Sequence, residues 1–503
     1  MLLVIGLLAP NAGAIELNAL EAAGKRLYQT GIAASGSTLS ARVGAQESAV
    51  PGNTVPCVNC HGADGKGRHE GEVRPPEISW RELSKPYGHR HDSGRQHGAF
   101  DAAAFYRAVT EGRDPAGNRL NPAMPRYAMA HSDAAALLAY LQKIDHDHDP
   151  GVDDGVLRIG TVLPQSGPLA ESARLVEKVV QGVFAQTNAG GGLHGRRLEL
   201  VVVDAVDAPG GPALPERLAA ADVFALVGPL APGAGKELFT LAEKTGLPVV
   251  GPLAGDSDGR RQVFQLAPGD REQGRALAEF AVRQLQLDDP SVVLMVPPQE
   301  NELASAVEAQ LARHGWQRIS RQVPWPAMGL GLAVAAWQKQ GVQVVFYFGA
   351  ADDFAALRRA ADSAGWSPVF LAPAAHAGSA GLSGTGVVYL ALPALPGDGT
   401  PAGRQALEAL RQQHQLPARQ PALQAAAYAA ANVLVEGLNR VGRAASRERL
   451  VDMLENLYAF DTGVTPPVGF GPGRRVGIMG AHVVAADPVT RRVHAVGGFV
   501  QVE

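Results

Sequence analysis

Only two cysteines occur in the 503 residues, and both lie in one pentapeptide, Cys57-Val58-Asn59-Cys60-His61. With two cysteines and 14 histidines in the chain, chance would produce this order in roughly one sequence in ten thousand. C-x-x-C-H is the pattern to which haem is covalently attached. Each thiol adds across one vinyl group, and the two-residue spacer sets the sulfurs at the separation of the vinyls. The adjacent histidine is then delivered under the iron as an axial imidazole. A structural zinc site would want two more Cys or His ligands at a second spacing. A thioredoxin-like pair would want a βαβ pattern running into a helix N-terminus. Neither context surrounds these residues. One covalent haem c is therefore the expected cofactor, with Cys57 and Cys60 as thioethers and His61 as an iron ligand, and no cysteine is left for a disulfide.

A chain this long has too much apolar surface for one core, so two or three domains are expected. The formal net charge is −4, with no basic stripe and no aromatic platform, which argues against nucleic acid. After the N-terminus no run of about eighteen apolar residues occurs, so no spanning helix is expected. Residues 1–14 combine a short apolar run with Ala12-Gly13-Ala14, an A-x-A pattern that reads as a secretory signal cleaved after Ala14. The usual basic n-region is missing, so either the true start lies upstream or this is a buried cytosolic segment. Covalent haem attachment outside the bacterial cytoplasm tips the reading towards export to the periplasm.

Residues 15–148 read as the haem domain. One helix is predicted around Leu20–Tyr28 and another over Ser132–Ile144, with Ser132 as N-cap and Asp133 in the first turn. Gly24, Tyr28, Leu137 and Tyr140 stand where two helices would cross closely. With the haem motif, these positions resemble the class I cytochrome c family, which implies an all-α fold and a methionine as sixth iron ligand. Asn121-Pro122-Ala123-Met124-Pro125 carries the Met-Pro pair of that family, so the resemblance implies Met124 as the ligand. Met129, which lacks the proline, reads as core. A thioether favours ferrous iron, and the flanking prolines stiffen the loop. Gly62, Gly65 and Gly67 are expected where backbone passes the porphyrin edge, with Pro75, Pro76 and Ile78 beside the haem. Residues 34–56 read as an inserted Gly/Ser/Ala-rich loop. Gly88–His97 reads as a solvated basic loop or a docking site for an electron partner.

Residues 149–155 form the expected linker, since Pro150, Gly151 and Gly155 end the helical pattern and the acids keep it hydrated. The His/Asp alternation just before it could hold a metal ion weakly. From residue 156 to 503, apolar runs alternate with helical patterns, the βαβ rhythm of parallel sheets covered on both faces. Strands are expected at 156–163, 198–203, 224–228, 249–250, 291–296 and 342–348. The rhythm occurs twice, so two lobes are expected, about 156–272 with 394–468, and 273–393 with 469–503.

Ordered phrases across this half carry a second resemblance. They are Gly160–Pro168, Asn188–Leu200, Val227-Gly228-Pro229, Gly246–Pro252, Ala425–Ala431, Thr462-Gly463 and Pro467–Phe470. Together they resemble type I periplasmic solute-binding proteins of the leucine/isoleucine/valine-binding, ABC-transporter branch. The resemblance implies a ligand clamped between two lobes that close on it. The family's hydroxyl-bearing loops are replaced here by Leu230 and Ala231, and by Leu253 and Ala254. No tyrosine follows the strand ending at Val296. A zwitterion would leave its charges poorly paired, so an alcohol, aldehyde, aromatic or other small apolar ligand is expected. Gln165, Ser166, Phe348, His376 and Tyr428 are the remaining polar or aromatic candidates, each equally able simply to pack a loop.

No G-x-S-x-G, H-E-x-x-H or phosphate loop occurs, and a His/Met-ligated iron has no open position, so the chain does not read as an enzyme. The fold class is multidomain: an all-α class I cytochrome c domain followed by an α/β two-lobed periplasmic-binding-protein domain. The expected function is one-electron transfer coupled to solute recognition, with a quinoprotein dehydrogenase as donor and a terminal oxidase chain downstream. The alternatives are a transport receptor for an ABC permease and a non-binding scaffold for the cytochrome.

Overall fold

The computed structural model describes residues 17–502 except 68–73, 92–93, 148, 208–210, 256, 258, 324–328, 444, 488–489 and 491. The expected signal segment lies outside these residues.

The first domain begins with α1 (Ala19–Thr30), β1 (Ser40–Val43), β2 (Ser48–Pro51), α2 (Cys57–His61), α3 (Trp80–Leu83) and the short strands β3 (His89–Arg90) and β4 (Gln96–His97). It continues with α4 (Ala102–Glu111), β5 (Arg126–Ala128) and α5 (His131–Leu141). Asn18 caps α1, accepting from the Leu20 and Glu21 amides. α1 and α5 cross at Gly24, where an added Cβ would lie 2.0 Å from the Ala136 carbonyl oxygen and 2.8 Å from Tyr140 Cβ. The Tyr28 and Tyr140 rings meet at 5.5 Å beside this crossing. The small residue is thus required by backbone contact, and Ala136 rather than Leu137 faces it.

Three expectations for this domain are corrected. α5 starts one residue earlier than expected, at His131. Ser132 is not its cap; Asp133 instead accepts from the Ala130 amide at 3.3 Å. The segment 34–56 is not a plain loop, because β1 and β2 form a hairpin whose first strand also pairs antiparallel with β5. Within the basic segment 88–97, β3 and β4 pair antiparallel, and His97 is buried with its ring edge-on to Phe100.

The linker is packed at Gly151 and Val152, while Pro150, Asp154 and Gly155 are exposed. Val152 is buried, and an added Cβ on Gly151 would lie 2.3 Å from the Phe224 amide nitrogen. Asp147 is held by Lys25 at 2.7 Å and by the Tyr140 hydroxyl at 2.8 Å, so the acid-rich stretch supplies ion pairs within the domain.

The second half opens with β6 (Val156–Leu163), α6 (Ala170–Ala189), β7 (Arg197–Asp204), α7 (Leu214–Ala220), β8 (Ala225–Val227), α8 (Gly235–Thr245), β9 (Val249–Val250) and β10 (Val263–Phe264). These strands form one parallel sheet in the order β10-β9-β8-β6-β7. Next come α9 (Asp270–Gln284), β11 (Ser291–Met295), α10 (Asn301–Ala312), β12 (Ile319–Gln322), α11 (Leu330–Lys339), β13 (Val342–Tyr347), α12 (Ala351–Ser363), β14 (Val369–Pro373), α13 (Ala374–Ala377) and β15 (Val388–Leu392). The chain ends with α14 (Pro401–Gln413), α15 (Pro421–Val441), α16 (Arg447–Glu455), β16 (Gly480–Asp487) and β17 (Arg492–Gln501).

The second sheet runs β12-β11-β13-β14-β15-β16-β17. Its last two strands run antiparallel, which the parallel rhythm did not predict. α15 packs on the first sheet: Ala427, Tyr428, Ala430 and Leu434 share a core with Ile159, Val227 and Val250. The chain returns between the sheets at Gln265, whose amide donates to Arg475 and whose carbonyl accepts from Gly477.

Candidate functional site

Pro56 sets an extended residue before the single turn of α2, so Cys57 and Cys60, three apart, lie on one helical face. Both are half-buried, and His61 beside them is 8% exposed. His61 Nδ1 donates to the Pro76 carbonyl at 3.0 Å, which leaves the lone pair on Nε2. Nε2 makes no hydrogen bond to any described residue. Burial lowers the pKa of this imidazole, against the smaller opposing effect of the Pro76 carbonyl, so it is held neutral. Burial also pushes the Cys57 thiol up to about 11.

The Tyr28 hydroxyl donates to the Gly62 carbonyl at 2.5 Å, anchoring α1 to the end of the motif. Gly62, Gly65 and Gly67 all have positive φ. At Gly67 the chain itself leaves no room for a side chain, since a Cβ there would lie 2.0 Å from the Pro75 carbonyl oxygen. Met124, like Cys57, Val58, Ile78 and Leu138, lies partly buried against the domain's core cluster, whereas Met129 is 7% exposed inside it. Two thiols on one helical face, a buried imidazole whose Nε2 bonds no described residue, and a thioether packed against the same core as Cys57 fit a covalently held haem.

In the second half, β6, β8 and β9 are parallel, so the loops after them share one sheet edge. The Leu230 amide donates to Val162 and the Leu253 amide to Pro229, which ties these loops together. In the second sheet, the loops after β13 and β14 meet at His376. Its Nδ1 donates to the Gly349 carbonyl at 2.7 Å, and its Nε2 pairs with Asp270 at the start of α9 at 2.8 Å. Burial lowers the His376 pKa, but the hydrogen bond and charge of Asp270 outweigh it and the value is raised.

Residues 156–488 match the family described as periplasmic binding protein, and residues 33–145 match the family described as cytochrome c. The chain belongs to the periplasmic binding protein family. It carries a cytochrome c domain ahead of the binding-protein fold. A Leu/Ile/Val-binding protein homolog 3 of Brucella melitensis is 24% identical over 303 residues, 57% of this chain and 79% of that protein. A fatty acid ABC transporter substrate-binding protein from Thermomonospora curvata superposes with TM-score 0.52 at 17% identity, covering 71% of this chain and 95% of its own. An ABC transporter substrate-binding protein from Desulfitobacterium hafniense gives TM-score 0.52 at 23% identity, covering 69% of this chain and all of its own. At these identities the two structures speak to the fold.

Within the binding-protein fold the sequence candidates separate into two groups. Gln165 and Ser166 are exposed after β6, where the Gln165 amide donates to Asp204 at 3.0 Å. Leu253 and Ala254 are half-buried after β9, and His376 is half-buried in the other lobe. Leu230, Ala231, Tyr428 and Phe348 are buried instead. Phe348 is 1% exposed, and its ring would lie 2.9 Å from a Cβ added to Gly274, so it fills the core. Asp270, Arg126 and Tyr127 escaped the sequence reading. Asp270 matters only through a partner 106 positions away. Tyr127 donates from its hydroxyl to the Val55 carbonyl just before the haem motif, and nothing in the sequence signals that contact.

Proposed function

We propose that this protein is a periplasmic one-electron carrier. A single haem c would be bound through Cys57 and Cys60, with His61 and Met124 on the iron, and the binding-protein fold would recognise a small solute. The observation that carries the reading is the buried His61 ring, fixed through Nδ1 to the Pro76 carbonyl, directly after the two thiols of α2. The haem supplies reversible one-electron chemistry when bound. The chain's own residues orient the imidazole, exclude water from it and hold the thioether loop. With His61 and Met124 both holding the iron, the bound haem would transfer electrons rather than turn over a substrate.

The natural donor in this reading is a periplasmic dehydrogenase of the quinoprotein type, with electrons leaving to a terminal oxidase chain. The solute would be the substrate or product of that dehydrogenase. An apolar or alcohol-like ligand suits loops built from Leu253 and Ala254, which bring no hydroxyl to a carboxylate. Stopped-flow reduction of the ferric protein by candidate dehydrogenases tests the carrier role, and failure with every donor would remove it. A thermal-shift screen with amino acids, alcohols, aldehydes and aromatic acids tests the solute role, because a ligand that binds only the folded form raises Tm. A second reading, a receptor for an ABC permease, draws on the Leu/Ile/Val-binding relative. It predicts an uptake defect on deletion that the carrier reading does not.

A further inference from the structure

The loop that presents Met124 is closed by one guanidinium. Arg126 Nη2 donates to the Leu120 carbonyl at 3.0 Å and to the Asn121 carbonyl at 3.3 Å. Its Nη1 donates to the Asn121 carbonyl at 3.4 Å and to the Met124 carbonyl. A single planar fork thus gathers both ends of the pentapeptide that contains the thioether. The Asn121 side chain accepts from the Ala123 amide at 2.9 Å, and the Pro122 carbonyl accepts from Gly44 at the tip of the β1–β2 hairpin, also at 2.9 Å.

Two features of the surroundings bear on this cation. Gly112, which ends α4 with φ +67°, leaves the space the guanidinium occupies; a Cβ there would lie 1.7 Å from Arg126 Nε. On the sheet, Arg126 stands directly opposite Arg42, a like-charge pairing that disfavours β1–β5 association. Arg42 turns to Glu47 at 2.9 Å. Among the described residues Arg126 forms no ion pair, and its hydrogen bonds to them go to loop carbonyls.

We infer that Arg126 is the positioning residue of the iron's methionine ligand: it clamps the 120–124 loop so that Met124 stays on the iron, and its fixed positive charge favours the ferrous state. This rests on Met124 being the sixth ligand. The clamp acts through geometry, because charge-assisted bonds to three carbonyls hold the loop closed. The charge acts separately, because a nearby cation opposes the extra positive charge of ferric iron.

The test uses the full-length, haem-loaded protein. It compares Arg126→Met, Arg126→Lys and Met124→Ala with the parent by the thioether–iron absorption band of the ferric form, the pH at which that band is lost, and the midpoint potential. Met124→Ala should abolish the band. In Arg126→Met the ratio of methionine-bound to methionine-free ferric protein should fall about tenfold or more, from loss of charge-assisted bonds. The band should then disappear at lower pH, and the potential should drop. Arg126→Lys keeps the charge but not the fork, so it should weaken the band while holding the potential nearer the parent's; it also decides the matter if the Met variant yields no loaded protein. A parental band, pH profile and potential in both Arg126 variants, with the band lost in Met124→Ala, would overturn the clamp. Survival of the band in Met124→Ala would overturn the ligand assignment instead, and the clamp with it.

Discussion

At the scale of single residues, the imidazoles separate by their partners. His61 is neutral and fixed by a carbonyl, whereas His376 is drawn towards the cation by Asp270. A histidine whose folded pKa is raised contributes stability that is complete below its unfolded value, about 6.5, and lost as pH rises through the folded value. The His376–Asp270 pair should therefore add to the stability of the second lobe in mild acid and fade above that window. Both side chains are partly exposed, so the contribution is small, about 0–1 kcal/mol. Melting curves across pH check this: Asp270→Asn should flatten the pH dependence relative to the parent, and an unchanged slope would count against the pair. Met129 offers a second residue-level expectation. Buried within the core, it should tolerate Met129→Leu with the iron spectrum intact and at most about 1.5 kcal/mol lost, the range for volume-conserving swaps. Denaturation followed at the haem band measures both.

Among the elements, the α1–α5 crossing is the tightest joint in the haem domain. Gly24 packs directly on the Ala136 carbonyl, and the Tyr28 hydroxyl on the same helix reaches Gly62 at the end of the haem motif. Gly24→Val would force the helices apart and tilt Tyr28 from that carbonyl. A loss of about 1–3 kcal/mol or more is expected, read as a lower Tm of the haem-loaded domain with the binding-protein transition unmoved. The β1–β2 hairpin is the other decisive element. By pairing with β5 and touching Pro122, it makes the insertion part of the methionine loop's support. Replacing residues 44–47 with a short turn should therefore alter the ferric thioether band, which a surface ornament would not do.

For the whole molecule, the two domains meet at the haem motif. The Ala63 amide donates to Glu448 at 3.3 Å and Arg449 pairs with Asp64 at 3.0 Å, so the start of α16 sits against the residues just after His61. The Arg447 amide donates to Asp149 in the linker at 2.6 Å. With Val152 buried, the linker is a fixed joint and not a tether. Such partly exposed polar contacts are worth little one by one, about 0–1 kcal/mol for the ion pair. Glu448→Ala with Arg449→Ala should leave each domain's own melting unchanged but speed proteolysis between residues 145 and 155. Cleavage at the parent's rate would show that the joint is held elsewhere.

The C-x-x-C-H pattern and the period were legible in the sequence alone. Cys57, Cys60 and His61 fall within five consecutive residues, so recognising the pattern needs no fold. The β6–α6–β7 rhythm follows from buried apolar runs, which local sequence records directly. The Gly24 and Tyr28 positions were legible too, because a close helix crossing demands a small residue at a fixed place. Tertiary structure decided everything that joins residues distant in sequence. Arg126 drew no sequence reading, because its role depends on Gly112 and the 120–124 carbonyls that surround it in the fold. The burial of Phe348 beneath α9 appears only in the fold, and His376 acquires its charge preference only beside Asp270. The antiparallel β16–β17 edge and the packed linker belong to the same class. Apolar periodicity specifies which faces are buried; which partner buries them is settled by long-range packing that no local pattern encodes.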